Sequence, residues 1–65
     1  MSQYYIGQVK NPLAKDWRLV ARGDDPVELA KKTVALAAKG ETMARVMRVE
    51  GERWDTVEVV KEMKL

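Results

Sequence analysis

Cysteine, histidine and phenylalanine are absent from this chain of 65 residues, and proline occurs only twice. Each absence removes a class of chemistry. Without cysteine there is no disulfide, thiolate zinc site, iron–sulfur cluster or cysteine nucleophile. Without histidine the commonest general base and the commonest metal ligand are gone. The nucleophiles that remain, Ser2, Thr33, Thr42, Thr56, the lysines and the two tyrosines, have no imidazole to activate them. The expectation is therefore no enzyme, with no catalytic, metal or cofactor site. Gly7, Gly23, Gly40 and Gly51 are too widely spaced for a phosphate-binding loop.

Long apolar runs are missing too. Nothing approaches the roughly 20 residues of a membrane-spanning helix, and Met1-Ser2-Gln3-Tyr4-Tyr5 lacks the charged start and apolar block of a signal peptide. Together with the missing disulfides, this leads to the expectation of a soluble, unprocessed, cytoplasmic protein without a membrane partner.

What is present is 46% hydrophobic and 34% charged, with nine valines and seven alanines against two tryptophans and two tyrosines. Such a core is thin. A chain of this length holds one domain, residues 1–65, and buries only about 60% of its unfolded surface, which leaves little room for a small-molecule pocket. The net charge of +2 conceals alternating blocks. Lys10, Lys15, Arg18 and Arg22 outweigh Asp16, and Asp24, Asp25 and Glu28 follow. Lys31, Lys32, Lys39, Arg45 and Arg48 then outweigh Glu41, and the segment 50–62 is acidic again. A bipolar surface is expected.

The clearest local signal is a helix start at Asp25-Pro26-Val27-Glu28. Asp25 can cap the free amides, Pro26 suits the first helical position, and Glu28 lies three residues after the cap. Gly40 can supply a left-handed stop, so the helix is predicted over 26–39. Its apolar arc, with Leu29, Ala30, Thr33 and Ala37, is rich in small residues and suits close packing on a sheet. The carboxylates at its start need no ligand to explain them.

Segments 3–10, 16–22, 42–49 and 53–63 read as strands, with Asn11-Pro12 and Glu50-Gly51-Glu52 as turns. Arg22-Gly23-Asp24 reads as a further turn. The predicted fold is α+β in the order β-β-α-β-β, two antiparallel hairpins forming a sheet with one helix on one face. That pattern recurs among unrelated small domains and assigns no function by itself.

One helix covers one face, so side-chain alternation predicts what the other face presents. Placing Trp17, Leu19, Ala21, Met43, Met47, Val49, Val57 and Val59 under the helix leaves Arg18, Val20, Arg22, Val46, Arg48, Trp54 and Val60 outward. That is an arginine-rimmed apolar patch, and arginine and tryptophan are enriched where proteins meet. The expected function is a small non-catalytic protein-interaction module. It would self-associate as a homodimer, or dock on a larger partner, for example as a regulatory inhibitor, through the open face or an edge strand. The alternative is nucleic-acid binding, with Lys10, Lys15, Arg18, Arg22, Arg45 and Arg48 meeting phosphates and Tyr4, Tyr5 and Trp54 stacking bases.

Overall fold

The computed structural model describes residues 3–65; Ser2 lies outside them. The chain runs β1 (Gln3–Lys10), β2 (Arg18–Gly23), α1 (Pro26–Ala35), β3 (Met43–Glu50) and β4 (Thr56–Lys64). The strands form one antiparallel sheet in the order β2-β1-β3-β4, so the two hairpins join through the central pair β1 and β3. The α+β class and the element order are as the sequence predicts.

The helix start is also as predicted. The Asp25 carboxylate accepts the main-chain N–H of Val27 at 2.9 Å and of Glu28 at 3.4 Å, and Pro26 opens the first turn, where no amide is needed. The helix end is not: α1 stops at Ala35, well before 39. In a continuing helix the Ala38 N–H would donate to the Val34 carbonyl. It donates instead to the Glu41 carboxylate at 2.7 Å, while Ala37 N–H takes the Val34 carbonyl in a tighter turn. Arg18 bonds both oxygens of Glu41 and reaches the Leu36 carbonyl at 3.4 Å. A cation from β2 and an anion after the helix thus close its last turn. Gly40 does hold a positive φ of 92°, but in the loop beyond the helix.

A close approach sets which side of the sheet the helix covers. A side chain at Gly7 would collide with the hydroxyl of Thr33, so α1 lies almost on the β1 backbone. Thr33 is fully buried and its hydroxyl donates to the Leu29 carbonyl at 2.7 Å, which leaves no unsatisfied polar atom there. Beneath the helix, Ala21 and Val46 pack with Leu29 and Ala30. Both flank Gly7 in register. Gly7, Ala21 and Ala30 leave the room that this close approach needs.

The face assignment read from the sequence is reversed in β3 and β4 and holds in β2 only for Ala21 and Arg22. Val46 is 0% exposed under the helix, and Ala44 is buried on the same side. Met43, Met47 and Val49 lie on the helix-free side, across from Lys10, Ile6 and Tyr4. In β4, Val57 and Val59 share that open side with Val49 and Met47. The edge strands also depart from simple alternation, because each carries a bulge. Gly7 pairs with Ala21 and Gln8 with Leu19, so Val20 is an extra residue. Val46 pairs with Lys61 and Met47 with Val59, so Val60 is another. An extra residue exchanges the faces of everything beyond it. Ala21 and Arg18 consequently share the helix side, while Leu19 and Arg22 are outward.

Trp54 belongs to no strand. It occupies the turn between β3 and β4 with a φ of 54°, and its N–H donates to the Gly51 carbonyl at 3.3 Å. Gly23, read as a turn residue after a strand ending at Arg22, instead finishes β2.

Candidate sheet-face interface

The helix-free face is built around Ile6, Met47 and Val49, adjacent in register on the central strands. Ile6 and Val49 are buried on this side although no helix covers it. Leu19 on one edge and Val57 and Val59 on the other remain substantially exposed. An apolar strip therefore runs from Ile6 on β1 across β3 to β4, with Leu19 diagonal to Ile6 on β2.

Two arginines flank it, each laid on an aromatic ring. The guanidinium carbon of Arg22 sits 3.9 Å from the Tyr4 ring centroid, and that of Arg45 sits 4.0 Å from the Trp17 ring centroid. Arg45 also donates from Nε to the Gln8 side-chain oxygen at 2.8 Å, which holds it across β1. Desolvation lowers the Arg45 pKa, and the charge of Glu62 opposes that shift. Among the described residues neither arginine forms an ion pair. Stacking fixes their position, and the nearest counter-charge to Arg45 is Glu62, its cross-strand neighbour on β4. The strand residues of this face include the cations Lys10, Arg22, Arg45 and Lys64 against the single carboxylate of Glu62.

The other side treats its arginines differently. Arg18 binds Glu41, with Nη2 to Oε1 at 2.7 Å. Arg48 is held by Glu50 and by Glu58, the latter at 2.6 Å. The Glu41 carboxyl is lowered to about 2, first by the hydrogen bond from Arg18 and then by that from the Ala38 N–H. Bonding to Glu58 similarly raises Arg48.

The seven residues expected to form an interface do not share a surface. Val46 is core, and Val20 packs against that core. Arg18 and Arg48 are engaged by carboxylates on the helix side. Trp54 is half-exposed in the β3–β4 turn and Val60 is the bulge of β4. Arg22 alone stands on the helix-free face, where sequence reasoning placed all seven. Of the basic and aromatic residues named for nucleic acid, Lys10, Arg22, Arg45 and Tyr4 reach this face. Arg18, Arg48 and Tyr5 lie on the other.

Trp17, Leu19 and Met47 were misplaced, and one signal could have placed Met47. A glycine inside a strand marks close backbone approach, so Gly7 identifies the helix side of β1 and, through the sheet register, that of its neighbour β3. The bulges have no comparable signature in the sequence.

A shallow groove continues this face around the sheet end, between Pro12 and Trp17 on one side and Met43, Met63 and Leu65 on the other. No helix in the described residues is long and apolar enough to cross a membrane. No protein-family model matches the chain, and no curated protein or solved structure matches it significantly.

Proposed function

We propose that this protein is a small non-catalytic docking module, acting in the cytoplasm, whose helix-free sheet face binds an acidic, partly apolar protein segment. The observation that carries this reading is the pairing of an exposed apolar strip with two ring-stacked arginines that form no ion pair among the described residues. An apolar strip alone would favour any greasy surface, and cations alone any anion. Joined on one rigid sheet, they select a partner that offers both. Arg22 and Arg45 are held in place by Tyr4, Trp17 and Gln8, so little side-chain entropy remains to be lost on binding.

The same face supports nucleic-acid binding less well. Its two rings already carry guanidinium groups, which bases would have to displace in order to stack. The strip of Leu19, Met47, Val57 and Val59 also has no natural counterpart in a phosphate backbone.

The test is an NMR titration of the labelled protein with an extended peptide alternating glutamate and leucine, and separately with single-stranded DNA and RNA, each at two salt concentrations. Peptide-induced shifts at Gln8, Leu19, Arg22, Arg45 and Met47, abolished by Arg22→Glu with Arg45→Glu, support the proposal. No peptide response would overturn it. Oligonucleotide binding at those residues that weakens steeply with salt would assign the face to nucleic acid instead.

A further inference from the structure

The two sheet edges are not alike. Strand β2 has six residues and lies beneath the helix, with Arg18 at its start tied to the helix end. Strand β4 has nine residues, the most in the sheet, and all except Met63 are exposed. Long uncovered edges present unpaired main-chain donors and acceptors, which invites another strand.

The direction of those groups follows from one hydrogen bond. The Leu65 N–H donates to the Thr42 carbonyl at 2.9 Å. In an antiparallel ladder alternate residues face the same neighbour, so Ala44, Val46, Arg48 and Glu50 turn their main chain toward β4. Their partners Met63, Lys61, Glu58 and Thr56 turn toward β3. The main-chain groups of Val57, Val59, Glu62 and Lys64 therefore point away from the sheet. Because of the bulge at Val60, their side chains also all lie on the helix-free side.

We propose that β4 is a self-association edge, on which two copies of this chain pair β4 with β4 antiparallel about a two-fold axis to form one eight-stranded sheet. The charge pattern of the strand is what commits the edge to a second copy. With Glu58 opposite Lys61 of the other copy, symmetry supplies that ion pair twice, at positions where cross-strand side chains come closest. Val57 then faces Glu62 of the other copy, and both direct main-chain groups outward, so they exchange hydrogen bonds. Thr56 faces Met63, again matching two helix-side residues. A slip of one residue would oppose side chains from different faces. A slip of two in either direction loses both ion pairs. Among the described residues Lys61 has no ion-pair partner within its own chain, so this register supplies one.

The pairing also sets the two helix-free faces side by side, extending the strip of Val57 and Val59 across the axis. It uses the strand edge, not the face assigned above, so either proposal can fail without the other.

Sedimentation equilibrium, with circular dichroism to confirm folding, tests the pairing. The wild-type chain is expected to dimerise. Lys61→Glu and Glu58→Lys should each weaken the dimer about tenfold or more, since every reversal acts twice. An equimolar mixture of the two variants should recover a dimer containing one of each. Val59→Pro removes an outward N–H that β3 does not use, so it should give a folded monomer. Arg22→Glu should leave the dimer intact. A wild-type monomer at NMR concentrations, or a dimer unaffected by all three β4 variants, would overturn the proposal.

Discussion

The sheet has two sides with similar numbers of arginines and opposite treatment of them. On the helix side, Arg18 and Arg48 are each closed off by carboxylates, and the space between them is filled with alanine, valine and leucine. On the other side, Arg22 and Arg45 lie on Tyr4 and Trp17 with no carboxylate in contact, beside exposed valine and leucine. One side is internally satisfied in charge and packing. The other is ordered but unsatisfied, and order without satisfaction is what a binding surface offers a partner.

Substitutions that strike the two sides unequally test that contrast. The largest effect is expected from Gly7→Ala, where the added carbon must displace Thr33 and α1. A loss of about 2 to 3 kcal/mol in urea unfolding is expected. A loss below about 0.5 kcal/mol would mean that the helix does not sit on β1 as described. Next comes the pair Val46→Ala and Val59→Ala. The first opens a cavity in the core and should cost about 2 kcal/mol, the second less than about 0.5 kcal/mol. Equal losses would erase the distinction between the faces.

Acid titration probes the closed ion pairs. Because the folded Glu41 pKa is depressed from its usual 4.5 to about 2, its contribution is fully present above that usual value. It is lost as pH falls through the interval down to about 2. Glu41→Gln should flatten the acid limb of stability in that window, and should fray the helix end because Ala38 loses its charged acceptor. An unchanged acid limb would exclude the clamp. The smallest effect is expected on the open face: Arg22→Gln should shift stability by no more than about 0.5 kcal/mol, because stacking on Tyr4 is exposed and weak. A larger loss would make that arginine a structural residue.

Much of the fold was legible in the residues themselves. Asp25, Pro26 and Glu28 announced the helix start because capping is local chemistry, complete within four residues. Strand β1 was readable end to end, and Pro12 and Gly51 marked the two hairpin turns. The early helix stop was not readable, since it depends on Arg18, which is distant in sequence from Glu41. Nor was the patch. The expectation of an arginine-rimmed apolar surface named a kind of surface that the sheet does carry, with Arg22 the single residue in common on that face. Choosing the larger side chains as core failed because α1 approaches too closely for them: Gly7, Ala21 and Ala44 fit beneath it where Met43 and Met47 would not.

The sequence by itself determined the elements, their order and the poverty of its reactive groups, because propensity, capping and composition act over short stretches of chain. Only the tertiary structure decided which face each strand turns to the helix. A single bulged residue reverses that choice at almost no local cost, and only the packing of the helix against the assembled sheet selects between the two outcomes.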